Sequence, residues 1–451
     1  MKELTKGKPI KVILMFSIPI LIGQIFQLLY SLVDTRIVGQ FLGEEALASV
    51  GATATVSDLL VSFVAGVTTG FSLVTAFFFG GKDDKGLKKA IGGTVGLGIA
   101  ISLLLTVVCL IFIDPILRFL HIEENIVANS KAYVSVIIGG LIVTALYNIM
   151  AATLRAVGNS VTPLIFLMIS TVSNVFLDIF FVAKLGLGVA GAAYATVLAQ
   201  MISVVLCFIY VLIKYPELFK NPAELIPDGK LIVRLLTNGM SMGFMSSFVC
   251  IGTVCIQTQI NTFGTDTIIS HTASRRIMSL FFMPGFVCAS ALATFCGQNL
   301  GAGHWSRIKE GIRDAVLVNW GINIISMLIV YGLGKYMIRF LVVTDNPEII
   351  STSMHYMRFN IVFFPIVVMV VEFRNAMQGF GDTRTPIISS LLELLVKVLI
   401  AIFLAPVIGY EAIVICEPVA WFIMLVPLAW GMYRRGVFSR KDGDEIPTRL
   451  I

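Results

Sequence analysis

The stretch LRAVGNSVTP at residues 154–163 returns in the second half of the chain as MQGFGDTRTP at residues 377–386. Each copy lies between long apolar segments, and both share a glycine, a threonine and a closing proline at matching places. Glycine and proline punctuate helices and turns, so the two windows predict the same turn in two related halves of the chain.

Two further pairs of loop residues keep nearly the same spacing as these windows. The GGK of residues 80–82 precedes the GAG of residues 301–303, and Gly43 precedes Gly264 by the same interval. Three pairs of matching segments in the same order predict a duplicated membrane domain, an arrangement typical of secondary transporters.

The composition indicates a membrane protein. Apolar residues make up 57% of the 451 residues and charged residues 13%, with a mean hydropathy of +0.92. A soluble chain of this length needs more polar surface, and the apolar stretches exceed the roughly 20 residues that cross a hydrocarbon core. The net charge of +6 comes from scattered basic residues. We therefore expect a lipid bilayer as partner, and no nucleic acid.

Charged and Gly- or Pro-rich breaks divide the chain into twelve predicted spans. They are 10–38, 45–79, 87–113, 128–153, 160–183, 188–213, 231–262, 266–299, 308–334, 347–378, 386–406 and 411–433. The predicted domains are an N-terminal bundle over 1–213, a cytoplasmic linker over 214–230, a C-terminal bundle over 231–435 and a cytoplasmic tail over 436–451. The fold class is all-α integral membrane, with twelve transmembrane helices in two six-helix repeats. The repeats are parallel because six spans return the chain to its starting side.

The Lys and Arg residues predict the orientation. With the N-terminus inside, about 22 of the 33 fall in inner segments and about five, including Lys335 and Arg339, in outer loops. Positive charge concentrates on the cytoplasmic side of membrane proteins. Both termini are then cytoplasmic.

The first half carries four polar residues within apolar spans. Asp34 lies in the first span, Asn174 and Asp178 lie four residues apart in the fifth, and Thr196 lies in the sixth. Intramembrane acids are costly and indicate a site for a proton or Na⁺. The structural alternatives are that Asp34 pairs with Arg36 at a helix end, and that Asn174 and Thr196 bond one helix to another.

The second half has a different set of polar residues. Glu393 and Lys397 are spaced for an ion pair along one helix, and Lys397 is the repeat equivalent of Asn174. His271 is a candidate proton relay, with a satisfied polar group as the alternative. The candidates for a substrate cavity are Met242, Met245, Met278, Phe282, Glu372, Arg276, Glu393 and Lys397. Met and Phe suit a cavity for varied hydrophobic ligands, and they are also routine filler in membrane helices.

Catalytic motifs are missing from the sequence. It contains no Gly-x-x-x-x-Gly-Lys-Ser/Thr, His-Glu-x-x-His or Gly-x-Ser-x-Gly pattern. The seven cysteines lie in apolar segments without metal-ligand spacing. We therefore expect no enzyme, no metal and no cofactor.

Several motifs resemble the multidrug and toxic compound extrusion (MATE) family. They are YSLVDTRIVG at 30–39, GQNLGAG at 297–303, the two windows quoted first, and EPVAW at 417–421. The resemblance covers about residues 10–435 and implies two six-helix bundles in a V, with alternating access driven by inward Na⁺ or H⁺. In the DNA-damage-inducible branch the coupling cation binds an N-lobe cluster, which Asp34, Asn174, Asp178 and Thr196 match here. The chain departs from the family at Ser31, where Asn is common.

The expected function is cation-coupled export of amphipathic, often cationic compounds across a bacterial cytoplasmic membrane, by a monomer. The alternative is a flippase for lipid-linked oligosaccharides, which would need a strongly basic cavity for a pyrophosphate. A channel or receptor is disfavoured because duplicated halves suit alternating access.

Overall fold

A computed structural model describes residues 3–120, 122–218 and 221–444. These residues form long helices joined by short turns, and no strand occurs among them. Residues 219 and 220 of the predicted linker 214–230, and residues 445–451 of the predicted tail 436–451, lie outside the described part of the chain.

The first half of the chain forms eight α-helices. They are α1 (Pro9–Leu42), α2 (Glu44–Gly80), α3 (Asp84–Ile111), α4 (Ile113–Phe119), α5 (Glu124–Gly139), α6 (Leu141–Ala156), α7 (Val161–Asp178) and α8 (Gly188–Lys214). A π-helical segment, Ile179–Lys184, continues α7. Two short 3₁₀ turns, Pro216–Leu218 and Pro222–Leu225, lead into the second half.

The second half repeats this order, with one long helix in place of two and with one additional short helix. Its helices are α9 (Gly229–Ile260), α10 (Thr265–Gly301), α11 (Trp305–Val342), α12 (Pro347–Val362), α13 (Phe364–Gly379), α14 (Arg384–Leu399), α15 (Ala405–Ile408) and α16 (Tyr410–Arg434). A π-helical segment, Ile400–Leu404, continues α14. A 3₁₀ turn, Asn261–Phe263, ends α9.

Ten of the described helices are long and apolar enough to cross a membrane, and two bent pairs bring the number to twelve. The pairs are α5 with α6, bent by 42°, and α12 with α13, bent by 55°. The predicted span 308–334 is too short, because α11 continues to Val342. Lys335 and Arg339 therefore lie in a helix and not in an outer loop. Helical hydrogen bonding does not stop where the apolar sequence stops, and long basic side chains reach water from a helix end.

The duplication is visible in the backbone. The breaks inside the two bent pairs, at Gly140 and Phe363, are separated by the same interval as the two windows quoted first. The two π-helical segments are separated by the same interval as Gly43 and Gly264. These two glycines precede α2 and α10 with φ angles of 82° and 91°. A side chain rarely adopts such a φ, so glycine is required at the same turn in both halves.

The described chain divides into two compact units. The first unit contains residues 18–243, and the second contains Leu4–Ser17 with the chain from Phe244 onward. The unit limits differ from the predicted limits at 213 and 231. The start of α1 belongs to the second unit, and the start of α9 belongs to the first. In the second unit, the Leu4 amide donates to Gln298 Oε1 at 2.9 Å. In the first unit, Leu235 is buried against Phe71 and Ala90.

Candidate functional site

Four polar residues come from three helices of the first unit. Asp34 lies on α1, Asn174 and Asp178 lie near the end of α7, and Thr196 lies on α8. Asn174 and Asp178 are 2% and 0% exposed. Because they are four residues apart in one α-helix, they lie on one face of α7. The π-helical segment begins directly after Asp178, and such wide turns are frequent at functional sites.

Apolar packing fixes this arrangement. Val38 of α1, Val182 of the π-helical segment, and Val189 and Ala192 of α8 belong to one buried cluster. Close-packed side chains of this kind hold helices in a defined register. The helices that carry the four polar residues are therefore held together by the cluster beside them.

Direct contacts link the polar residues across the helices. Tyr30 Oη and Thr196 Oγ1 are hydrogen-bonded at 3.0 Å. The carboxyl groups of Asp34 and Asp178 lie close enough to interact electrostatically. The three helices thus bring Tyr30, Asp34, Asn174, Asp178 and Thr196 into one group, called the aspartate cluster below.

Several atoms of the aspartate cluster are buried without a hydrogen-bond partner among the described residues. They are Asp34 Oδ1, both Asp178 carboxylate oxygens and both amide atoms of Asn174. An unpartnered buried carboxylate is costly, and two like charges about 4 Å apart repel by roughly 4 kcal/mol at an effective dielectric constant of about 20. A bound proton or small cation removes both costs. The geometry therefore suits reversible binding of one positive charge.

Two tyrosines of this region were not among the predicted site residues. Tyr30 precedes Asp34 by four residues, so helical spacing was a signal that would have found it. Tyr133 of α5 packs against the same buried cluster and lies close enough to Asp34 and Asp178 to interact electrostatically. No local pattern indicates Tyr133, because its position depends on how α5 packs.

The second unit has an ion network at the matching positions. Lys397 is the repeat equivalent of Asn174, and Glu417 is that of Thr196, at the two intervals found between the halves. Lys397 Nζ contacts Glu393 Oε1 at 2.9 Å, as the sequence predicted, and Glu417 Oε1 at 3.3 Å. Glu417 Oε1 also accepts a hydrogen bond from Arg275 Nη1 at 3.0 Å. A fixed ammonium group therefore neutralises this site, called the lysine network below.

A model of the MatE family matches the chain twice, over residues 19–180 and 241–403. The chain belongs to the MatE family. The two matches fall one in each half of the chain and therefore coincide with the two repeats. They confirm the resemblance to MATE transporters drawn from the sequence, and the twelve-span, two-repeat fold class with it.

Individual relatives of this MatE chain are distant in sequence and close in fold. YpnP of Bacillus subtilis, named as a probable multidrug resistance protein, is 25% identical over 365 residues, which is 81% of each chain. NorM of Thermotoga maritima, also named as a probable multidrug resistance protein, is 23% identical over 85% of this chain and 83% of its own length. A crystal structure of MATE in the bent conformation superimposes with a TM-score of 0.88 and 22% identity, covering 96% of this chain and 97% of that one.

The predicted substrate-cavity residues of the MatE chain lie in several environments. Met242 and Met278 are buried, and Arg276 is exposed. Met245 is also buried, and its sulfur accepts a hydrogen bond from Gln378 Nε2 at 3.1 Å. Buried methionines are expected both in a helix-packing core and in the wall of a ligand cavity, so burial does not distinguish the two roles. Their role in a cavity stays a prediction.

The remaining candidates fall into two groups within the second unit. Phe282 and Glu372 line one small cavity, where Asn319 Nδ2 donates to Glu372 Oε1. The ring of Phe282 lies 4.0 Å from that of Phe364. Glu393 and Lys397 belong to the lysine network. The two groups therefore differ in chemistry. The cavity is mainly apolar with a single acid, and the lysine network is a set of ion pairs.

His271 is a bonded member of the second unit's core. Its Nδ1 and Tyr410 Oη are 3.1 Å apart, and its ring packs edge-on against Tyr356 with 4.9 Å between centroids. These contacts agree with the structural alternative given above. The relay role stays a prediction.

Proposed function

We propose that this MatE chain is an antiporter that exports amphipathic, often cationic organic compounds from the bacterial cytoplasm in exchange for H⁺ or Na⁺. The names of YpnP and NorM support the drug-export part of the proposal. The coupling part rests on the aspartate cluster, where buried Asp178 has no hydrogen-bond partner for either carboxylate oxygen among the described residues.

Coupling follows from the charge of the aspartate cluster. Without a bound cation, Asp34 and Asp178 repel each other in a poorly solvated site. Binding of H⁺ or Na⁺ removes this repulsion and changes the relative free energies of the inward- and outward-open states. Alternation between those states then exchanges the bound ion for substrate.

The electrical work gives the exchange a rationale. Export of a monovalent cation against an inside-negative potential costs about 2.3 kcal/mol per 100 mV. An entering H⁺ or Na⁺ offsets this cost charge for charge. An amphipathic cation therefore has a reason to leave through an antiporter and not through a passive pathway.

The flippase alternative receives no support from the lysine network of the second unit. A lipid-linked pyrophosphate needs several uncompensated basic groups. Lys397 and Arg275 are the strongest candidates by position, yet both are bound to Glu417, and Lys397 also to Glu393. A site neutralised by its own acids is a poor match for a pyrophosphate.

Transport by proteoliposomes tests the proposal. Ethidium flux is followed under an imposed pH gradient and, separately, under an imposed Na⁺ gradient, with Asp178→Asn beside the wild type. We expect one of the two gradients to drive ethidium flux in the wild type. In Asp178→Asn this flux should fall by at least about tenfold, because the cation no longer binds one transport state more tightly than the other. The effective gradient identifies the coupling ion.

The control is Asp114→Asn, which removes an exposed carboxylate of the same unit that pairs with Lys131 at 2.6 Å. It should transport like the wild type. Flux at the wild-type rate in Asp178→Asn would exclude the aspartate cluster as the coupling site. No flux in the wild type under either gradient would reject antiport of such cations and make lipid-linked substrates the next to test.

A further inference from the structure

A large groove lies between the C-terminal third of α11 and helix α12. Its open volume is about 790 Å³, which is within the usual range for a small-molecule site. One wall carries Tyr331, Lys335 and Arg339 of α11, and the other runs along α12 from Pro347 to Val362. All of these residues belong to the second unit. This surface is called the α11–α12 groove.

Three basic side chains line the α11–α12 groove. Lys335 and Arg339 are four residues apart on one face of α11, where like charges disfavour each other. Arg358 faces them from α12. Asp345 pairs with Arg339 Nη2 at 3.2 Å, but its side chain is 89% exposed, so the pair contributes little. No acidic side chain of the described residues pairs with Lys335 or Arg358.

Arg339, which lines the α11–α12 groove, has one buried nitrogen. Arg339 Nε is buried and donates to no acceptor among the described residues. A buried donor without an acceptor is unfavourable, and a charged donor more so. An anion bound beside Lys335 and Arg339 would offset this cost and relieve the repulsion between the two side chains.

Much of the remaining groove lining is apolar. Ile350, Met354, Phe359, Val362 and Phe363 line it together with the polar Ser351 and His355. The rings of Phe359 and Phe363 are 5.3 Å apart, and together they form a continuous aromatic strip. Inorganic phosphate would use the basic rim and leave this strip open. A phospholipid supplies a phosphate for the rim and an acyl chain for the strip.

The position along α11 fits a lipid headgroup. At about 1.5 Å per residue, the 38 residues of α11 extend roughly 57 Å, well beyond a hydrocarbon core of about 30 Å. Its last turns therefore reach the headgroup region. Tyr336 and Phe340 are highly exposed there, as aromatic side chains at a membrane interface commonly are.

The first half of the chain has an acid where the second half has one of these basic residues. At the interval that separates Gly43 from Gly264, Asp114 is the equivalent of Lys335 and Arg118 that of Arg339. Asp114 pairs with Lys131 of α5 at 2.6 Å. The first half thus compensates one of its two basic residues at the matching surface, whereas in the second half Lys335 and Arg358 have no acidic partner among the described residues.

We propose that the α11–α12 groove binds an anionic phospholipid. Lys335, Arg339 and Arg358 hold the phosphate of the headgroup, and one acyl chain lies along Phe359 and Phe363. This site is independent of the aspartate cluster and of the direction of transport, so its test does not depend on the proposed function.

The test measures lipid retained by the full-length protein. Wild type and Lys335→Gln/Arg358→Gln are purified and reconstituted in nanodiscs with equal phosphatidylglycerol and phosphatidylethanolamine, then transferred to detergent, and bound lipid is counted by native mass spectrometry. We expect about one phosphatidylglycerol in excess on the wild type. Removal of two charges should weaken its retention about 30-fold, since each basic group near an anionic lipid contributes a factor of about five.

Two controls isolate the groove. Arg118→Gln/Lys131→Gln removes two charges at the matching surface of the first half and should leave retention unchanged. Val362→Trp keeps every basic group of the groove and fills its apolar part, so it should also lose the lipid. Gel filtration and thermal melting establish that each variant is folded.

Three results would overturn the proposal. Equal retention of the two lipids by the wild type would exclude selectivity for an anion. Inorganic phosphate at about 10 mM is on the order of ordinary buffers and too dilute to screen surface charge fully. If it displaced phosphatidylglycerol, the groove would bind the phosphate group alone and not the acyl chain. Full retention by Val362→Trp would indicate surface attraction outside the groove.

Discussion

The aspartate cluster and the lysine network occupy matching places in the two repeats and differ in where their positive charge comes from. In the second unit, Lys397 supplies a permanent cation between Glu393 and Glu417. In the first unit, the matching residue is Asn174, and the carboxylates of Asp34 and Asp178 have no basic partner among the described residues.

This difference predicts unlike roles for the two repeats. A buried acid that is paired with a fixed lysine gains nothing from an external cation. A buried acid without such a partner gains the whole interaction when a proton or Na⁺ arrives. Duplication therefore produced one site that holds its charge permanently and one site that is suited to exchange it.

The largest expected effect comes from making the first unit like the second. Asn174→Lys places an ammonium group at the position of Lys397, four residues from Asp178. This group should neutralise Asp34 and Asp178 and exclude the coupling ion. Gradient-driven ethidium flux should fall by at least about tenfold, and the melting temperature should lose the part of its Na⁺ or pH dependence that the aspartate cluster contributes, because that cluster no longer binds a cation.

Asn129→Lys is the matched control, since it adds the same charge at an exposed position of the first unit. It should keep both flux and ion-dependent melting. Wild-type flux in folded Asn174→Lys would break the comparison, because the first unit would then work with a fixed cation.

A second substitution removes the fixed cation from the second unit. Lys397→Met leaves Glu393 and Glu417 buried with less compensation and should lower the free energy of unfolding by about 3–5 kcal/mol. Adding Glu393→Gln to it should recover part of the loss, because one uncompensated charge disappears. Thermal melting in detergent measures all three proteins, with the exposed Lys184→Met as control. A loss no larger than that of Lys184→Met would show that the network does not stabilise the fold.

The smallest expected effect concerns a helix cap that differs between the halves. Asp83 caps α3 by accepting a hydrogen bond from the Gly86 amide at 2.9 Å. The equivalent residue before α11 is His304, which makes no such bond. Asp442 of the tail takes over instead, accepting from the Ser306 amide at 2.7 Å and from Ser306 Oγ at 2.5 Å.

These hydrogen bonds from Ser306 lower the pKa of Asp442 below its ordinary value. A lowered pKa in the folded state contributes stability above the unfolded value of about 3.9 and loses it as the pH falls through the folded value. Asp442→Asn should therefore lower the melting temperature slightly near pH 7, by the equivalent of about 1 kcal/mol or less because the site is exposed. The difference from the wild type should begin to shrink near pH 4 and vanish as the pH falls through the lowered pKa of Asp442.

Asp444→Asn serves as the control for this cap, because among the described residues the Asp444 side chain accepts from the backbone of Lys441 in the same turn and not from α11. Trypsin cleavage at Arg440 at neutral pH gives a second readout and should be faster in Asp442→Asn. Identical cleavage and melting in the two variants would remove Asp442 as the cap of α11.

Much of the architecture was accessible to sequence reasoning. The constant offset between the glycine-containing turns predicted the duplication, and apolar length predicted the spans. The four-residue spacing of Asn174 and Asp178, and of Glu393 and Lys397, predicted which side chains share a helix face. These relations are local, because the geometry of one helix fixes them regardless of its neighbours.

The sequence by itself thus determined the number of spans, the two repeats and the pairs that lie along one helix. Only the tertiary structure decided which helices face each other: Tyr30 with Thr196, Arg275 with Glu417, Asp442 with Ser306, and the walls of the α11–α12 groove. It also decided which buried atoms lack partners, as at Asp178 and Arg339. Contacts between residues far apart in the chain depend on the side-chain packing of whole helices, and no short-range pattern in the sequence encodes that packing.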